Sequence, residues 1–433
     1  MLQKRFKTSS VEDVNKIKQI RKMKRIVPFL LMVFTVLTVS LRAQNPESLE
    51  QLLPQMNADS LHQTVLDLQN FGSRFALRAG GNREVAEYLV QRLNNYGIPA
   101  AIDSFYKAGH HWLAGDYDQW FYNVKGVLTS PEPIDDSIVI VGAHLDAISY
   151  NHETYALLEA APGADDNASG VAVMIELARI CHANNLLFHR TIHFMGFDGE
   201  ELGLYGSSYD AQTRAAAGDK IAVMLNNDMV SFQPDDNWRL LLLWYDNALD
   251  VVSRAADLCA QYTDIDPVIP SVTENEMSQY SDSYAYYQSG FRAVFAIEYT
   301  FSTSYHTDHD VSDSNNYAYH ADVARYNMAM LAAYADLIGG AGVEEHPQQT
   351  FSMYLSPNPV TDNAMLLYSL EDNSPVDIMV FDLTGRAMLH YNISEQTAGI
   401  HNKALDLSHL STGVYLCQLR TAQGVQTVKF VRK

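Results

Sequence analysis

The sequence predicts an α/β protein in which a mixed, largely parallel central sheet is flanked by helices and followed by a small C-terminal β-sandwich. Three observations carry this. Apolar, strand-like runs alternate with segments of helical apolar period through most of the chain, the pattern of strands covered by helices on both faces. Polar residues of unusual type gather where those apolar runs end. After Gly339 and Gly340 the pattern changes to short alternating strands separated by turn residues. At 433 residues the chain is also too long for one ordinary domain.

Taken in order, "SLEQLLPQM" and "NREVAEYLVQRLNNYG" have i, i+3, i+4 apolar spacing and read as helices, the second closed by Gly97. "SIVIVGAHLDA" is a buried strand, "SGVAVMIELARICHAN" a helix, "RTIHFMGF" a strand and "LYGSSYDAQTRAAAG" a helix. "KIAVMLNNDMVS" and "WRLLLLWY" are strands, "ALDVVSRAADLCAQY" a helix, "FRAVFAIEYT" a strand and "VARYNMAMLAAYADLIG" the closing helix. Residues 44–340 form this unit, 341–350 read as a linker, and 351–433 as the sandwich. In the sandwich, "VDIMVFDLTGRAMLHY" turns at Asp382 to Gly385, and "GVYLCQLRTAQGVQTVKFVRK" is a second hairpin.

The formal net charge is −21, although the first 43 residues carry ten Lys/Arg against two Asp/Glu. The rest of the chain is therefore strongly acidic, which argues against a nucleic-acid partner. Within that basic leader, "MKRIVPFLLMVFTVLTVSLRA" has a charged start, an apolar run and a small residue before Gln44. That is the pattern of a secretory signal peptide over residues 1–43, with Met23 as the expected true start. No other stretch is apolar for long enough to span a bilayer, so no membrane association is expected of the mature protein. The three cysteines, Cys181, Cys259 and Cys417, are too few and too scattered for a disulfide scaffold or a thiolate metal site. Any metal must rest on imidazole and carboxylate.

In open α/β sheets ligands gather beyond the carboxyl ends of the strands. "VGAHLDA" ends one strand with His144 and Asp146, "GFDGEELG" another with Glu200 and Glu201, and "LNNDMVS" a third with Asp228. "PGADDNASG" precedes a helix with Asp165 and Asp166, and "SYHTDHD" follows the last strand with His306. Singly, each is as readily a solvated surface cluster. Together, His144, Asp165, Glu201, Asp228 and His306 supply two imidazoles and three carboxylates, a ligand set suited to two zinc ions. Two ions about 3.5–4 Å apart need a shared carboxylate. Asp165, framed by small residues, is expected to be that bridge. Asp146, two residues past His144, is placed to orient the imidazole. Of Glu200 and Glu201, one can bind metal while the other, left free, serves as general base toward the attacking water.

These residues, in this order, resemble the secreted di-zinc aminopeptidase family that includes bacterial leucyl aminopeptidase, glutamate carboxypeptidase and the glutaminyl cyclases. The resemblance covers roughly residues 80–340 and rests on "AHLDA", "PGADDNASG", "GEELGLYGS", "NDM" and "HTDHD". It implies that His144 and Asp228 bind one zinc, Glu201 and His306 the other, with Asp165 between them, Glu200 as base and Asp146 as partner of the histidine. It also implies a cis peptide between Asp165 and Asp166. Met229, Ile297 and Phe301 match the family's side-chain pocket, here apolar, and Tyr280 and Asp282 its substrate-orienting positions. The chain departs from the family at Ala147, where Ser or Thr is usual, and at "SDS" of Ser281 to Ser283, where many members have "SDH".

The last segment, with "LSPNPV", "FDLTGR", "LSTGVYLCQL" and the basic ending "VKFVRK", resembles the sorting domain of the type IX secretion system, which implies that machinery as a partner and a secreted or cell-surface location. An ordinary appended sandwich is the alternative. His193 reads as a satisfied core histidine, His110, His111 and His309 as loop residues, and "SYAYYQSGF" as a helix packed on the sheet. The expected activity is removal of N-terminal residues from peptides by zinc-activated water. A glutaminyl cyclase, a carboxypeptidase, or a non-catalytic binding protein on the same scaffold are the alternatives.

Overall fold

The computed structural model describes residues 49–272, 274–338, 353–422 and 424–433, all within the unit Pro46–Lys433. The expected signal peptide and linker lie outside the described residues. Eight strands form the main sheet: β1 (Ala100–His111), β2 (Gly115–Leu128), β3 (Ser137–His144), β4 (Thr191–Phe197), β5 (Lys220–Asn227), β6 (Arg239–Leu243), β7 (Asp266–Val268) and β8 (Ala293–Glu298). Their order is β1-β2-β4-β3-β5-β8-β6-β7. The middle four, β4-β3-β5-β8, are mutually parallel, whereas β1, β2 and β6 each run antiparallel to a neighbour. The parallel strands are buried on both faces, which is why their sequences are continuous apolar runs rather than alternating ones.

The helices are α1 (Leu49–Leu52), α2 (Ala58–Gln69), α3 (Arg83–Asn95), α4 (Ala168–Ala183), α5 (Tyr205–Ala217), α6 (Leu249–Tyr262), α7 (Asp282–Gln288) and α8 (Tyr317–Ala335). Strand alternation assigns them to faces. Val139 and Val141 of β3 enter the large core shared with α2, α3, α4, α6 and α8, while Ile140 between them enters a second core with Ala211 of α5 and Tyr286 of α7. No described helix is long and apolar enough to cross a membrane. All three cysteines are buried and unpaired, and burial pushes each thiol up to about 12.

Some elements depart from the sequence reading. "SLEQLLPQM" is only a single turn, α1, running into a 3-10 turn that contains Pro54. The longer helix α2 follows, unread in the sequence, and is capped by Asn57, whose side chain accepts from the Asp59 and Ser60 amides. The β1–β2 hairpin also went unread, because most of β1 is exposed or half-exposed and gives no apolar run. His110 and His111 are therefore strand residues, not loop residues. His193 lies buried in β4 with Nδ1 3.0 Å from Arg214 Nη2, and His309 is exposed in a loop.

Beyond residue 353, β10 (Asn363–Leu370) is flanked by β9 (Met353–Ser356) and β13 (Gly399–Asp406). A second antiparallel sheet has the order β12-β11-β14-β15, from Ala387–Gln396, Ser374–Asp382, Gly413–Thr421 and Gly424–Arg432. Leu366 and Leu405 of the first sheet share one core with Ile378, Cys417 and Phe430 of the second, which makes the pair a sandwich. The Asp382–Gly385 turn is present: Gly385, at φ 83°, donates to the Asp382 carbonyl, and the Asp382 side chain accepts from the Thr384 amide.

The first turn of α4 presses on the end of β5. A Cβ on Gly170 would stand 2.2 Å from the Asn227 carbonyl oxygen, so the small residues of "NASG" serve backbone approach between helix and sheet. Gly170→Ala is predicted to destabilise the protein by roughly 1–3 kcal/mol, read as a lowered denaturant midpoint. An unchanged midpoint would contradict this packing.

Candidate metal centre

The four parallel strands deliver the polar residues to one place. β3 ends on His144, β4 runs through Asp198 and Gly199 into Glu200 and Glu201, β5 is followed by Asp228, and the segment after β8 brings His306. His144, Asp166 and Asp228 each offer a ligand atom within 4.8 Å of the others, and so do Asp166, Glu201 and His306. His144 Nε2 lies 3.2 Å from Asp166 Oδ1 and 3.2 Å from Asp228 Oδ1. His306 Nε2 lies 3.1 Å from Asp166 Oδ2 and 3.0 Å from Glu201 Oε2.

The expected bridge is thus displaced by one residue. Asp166 stands between the two imidazoles, and Asp165 points elsewhere. Asp165 Oδ1 accepts from the Ser231 amide at 2.9 Å, the Ser231 hydroxyl at 2.8 Å and the Phe232 amide at 3.2 Å. Successive side chains of an irregular loop diverge, and the loop's course is set from outside it. Asp310 receives the Asp165 amide on Oδ1 at 2.9 Å and the Asp166 amide on Oδ2 at 3.0 Å. The buried Arg74 donates to the carbonyls of Leu145, Pro162 and Gly163. Gly163, at φ 52°, has no room for a Cβ because Ala147 and Arg74 press on it. The cis peptide shifts by the same step and joins Asp166 to Asn167.

Asp146 does more than orient one histidine. Fully buried, it lies 3.4 Å from His144 Nδ1 and accepts the amides of Glu200 at 3.1 Å and Glu201 at 3.3 Å. It therefore ties the end of β3 to the turn after β4. Glu200 and Glu201 diverge because a 3-10 turn, Glu200–Leu202, carries them between Gly199 and Gly203, both left-handed. Asp228 is held from behind by the Ser281 hydroxyl at 2.7 Å, itself taking a hydrogen bond from Asn226 at 2.6 Å. Ser281 is thus a support for a ligand candidate, a role its place in "SDS" did not disclose.

The electrostatics show how strongly this cluster calls for positive charge. Burial would raise the Asp166 carboxyl, yet His144 and His306 hold it well below the usual range. Burial would lower the His306 imidazole, but Glu201 and Asp166 raise it to about 11. Glu201 is pushed up to about 7, chiefly by burial, and its Oε1 is buried without a hydrogen-bond partner. Glu200 rises well above its ordinary value through burial first, then repulsion from Glu201, Asp228 and Asp282. Two imidazoles, three carboxylates and an orphaned carboxylate oxygen fit divalent cations of the zinc type.

Of the substrate-pocket candidates, Met229 and Ile297 share an apolar cluster with Leu243 and Phe295, against which Met277 and Tyr305 pack. The Phe301 ring meets Tyr305 edge-on at 6.2 Å. Tyr305, which the sequence reading missed, stacks on His306 with ring centroids 3.7 Å apart. Tyr280 is 76% exposed, and Asp282 is fully buried at the start of α7, its carboxyl raised to about 7 by burial and then by Asp228 and Asp146.

Because Asp166 faces both imidazoles, Asp166→Asn is predicted to abolish tight binding of at least one of two divalent ions, counted by atomic spectroscopy after dialysis. Full metal content in that variant would contradict the placement.

Residues 123–331 match the family model "Peptidase family M28", and residues 353–433 match "Secretion system C-terminal sorting domain". A protein of Pyrenophora teres f. teres described as "Probable zinc metalloprotease" is 32% identical over 199 residues, which are 42% of this chain and 41% of that protein. The chain thus spans well under two thirds of that relative. A protein of Arthroderma otae described as "Probable leucine aminopeptidase" is 26% identical over 67% of this chain and 77% of its own length. Among solved structures, an aminopeptidase from Aneurinibacillus sp. strain AM-1 superposes with a TM-score of 0.56 at 16% identity, covering 69% of this chain and 98% of that one, a likeness of fold. Sequence motifs, strand-end geometry and family model converge: residues 123–331 belong to peptidase family M28, and residues 353–433 are a secretion-system sorting domain.

Proposed function

We propose that the chain is a secreted di-zinc aminopeptidase that removes apolar N-terminal residues from peptides. The observation that carries this reading is the division of Asp166, with one oxygen toward His144 and the other toward His306. His144 and Asp228 would hold one zinc, Glu201 and His306 the other, with Asp166 shared. Zinc so held supplies Lewis-acid polarisation of the scissile carbonyl and makes a water molecule more acidic.

The rest of the chemistry falls to the chain. Glu200 sits with His144 and Glu201 around one point and has no ion pair among the described residues, so it would be free to take a proton from the attacking water. Its buried, carboxylate-rich surroundings raise its affinity for that proton, which lets it hold the proton and then deliver it to the leaving amine. Asp146 positions Glu200 through its backbone amide and so keeps base and histidine in register. Burial and four nearby carboxylates keep the Tyr305 phenol protonated, a donor available to the oxygen that gains charge in the transition state. The apolar cluster of Met229, Ile297 and Met277 would line the pocket for the first residue's side chain and would favour a large uncharged one.

Export would use the signal peptide over residues 1–43 and then the type IX machinery acting on residues 353–433, placing the enzyme outside the cell or on its surface. The peptidase unit would span 44–340, with 341–350 as linker.

Glu200→Gln is predicted to keep its zinc while kcat falls by about a hundredfold or more. A variant with wild-type kcat would overturn the assignment of the base. Wild-type protein is predicted to cleave leucyl peptides and to leave N-blocked peptides intact. Release of the C-terminal residue from a blocked peptide would instead mark a carboxypeptidase, and cyclisation of N-terminal glutamine without hydrolysis a cyclase.

A further inference from the structure

A second surface, aromatic and separate from the Met229 cluster, reaches the metal centre at His306, and the catalytic steps leave it unused. Residues 149–158 fold back on themselves: Tyr150 bridges Leu157, the Asn151 and Leu158 amides bond to Ala156 and Ser149, and the Asn151 side chain caps the turn by accepting from Glu153 and Thr154. This small hairpin is pinned to the site, because the Tyr150 amide donates to the His306 carbonyl at 3.0 Å and the two rings meet at 5.7 Å. Trp112, at the tip of the β1–β2 hairpin, comes to it from another part of the sheet. Its ring lies 6.1 Å from Tyr150 and 5.6 Å from Tyr155, both edge-on, and His152 stacks on Tyr150 at 4.9 Å. The result is a continuous aromatic wall from His306 outward, yet Trp112 is 64% exposed and Tyr155 58% exposed. Large rings gathered from two separate loops and left open to solvent mark a binding surface rather than a core.

We infer that this wall receives the part of the peptide that follows the scissile bond, and selects apolar or aromatic side chains at the second or third position. The inference rests on the aminopeptidase reading. An aminopeptidase holds a single residue before the scissile bond, and the Met229 pocket takes its side chain. Everything else in the substrate lies after the bond, so a further apolar surface starting at a metal-ligand candidate can be met only by that portion. Tyr150 is the junction, touching His306 on one side and Trp112 on the other.

The test compares kcat/KM for leucine release from Leu-Phe-Phe and Leu-Gly-Gly by the wild type, Trp112→Ala, Tyr155→Ala and Trp120→Ala. Trp120 lies on the same β1–β2 hairpin, is 51% exposed and packs on Tyr106, making it a control. The wild type is expected to prefer Leu-Phe-Phe. That preference should fall about fivefold in Trp112→Ala and in the same direction in Tyr155→Ala, while Trp120→Ala keeps it. If leucine is released from both peptides but the ratio is the same in wild type, Trp112→Ala and Tyr155→Ala, the wall is not a substrate surface, although the aminopeptidase reading stands. If the wild type releases leucine from neither, the aminopeptidase reading itself fails and takes the wall with it.

Discussion

The Asp166 carboxylate, suspended between His144 at the end of β3 and His306 in the segment after β8, is the contact on which the site depends. A carboxylate so deeply buried is costly unless opposite charge is near, so its position has to be enforced. Asp310 enforces it by accepting both the Asp165 and Asp166 amides, and Arg74 by gathering the carbonyls of Leu145, Pro162 and Gly163. The loop from 162 to 167 is therefore held from two directions before its carboxylate meets either imidazole. The large core beneath it fixes β3, which ends on His144, and β8, which precedes the segment carrying His306.

The same economy of position recurs around it. Asp146 joins the histidine of β3 to the glutamate pair after β4, and Ser281 braces Asp228 after β5. The glutamate turn, Asp228 and Asp166 are thus each held by a residue from another part of the chain, Asp146, Ser281 and Asp310 in turn, so small shifts of one strand end are resisted by its neighbour. The parallel sheet makes this possible, since four adjacent strands end on one edge and their following loops share one space.

Much of this was legible in the sequence. The buried strands declared themselves as apolar runs, and His144, Glu201, Asp228 and His306 stood at their ends, where the structure brings them together. Asp165 and Asp166 could not be told apart because two identical neighbours in a loop differ only in the direction their side chains take. That direction is decided by Asp310, nearly 150 residues away, and by Ser231, which engages Asp165. The β1–β2 hairpin was invisible for another reason: its rings are spread among polar residues and stay partly in water, so no periodic apolar stripe betrays it. Trp112 acquires its neighbours only through the fold. Tyr280 and Asp282 rest on the resemblance alone: the first is exposed, and the second is buried at the start of α7, where its charge reaches Glu200.

The central claim is that Asp166, and not its neighbour, joins two metal positions. Anomalous diffraction at the zinc edge from crystals of the zinc-loaded protein tests it most directly. Two peaks, one beside His144 and Asp228 and one beside His306 and Glu201, with the Asp166 carboxylate between them and Asp165 still bonded to Ser231, is the predicted result. A single peak, or a metal held by Asp165, would contradict it.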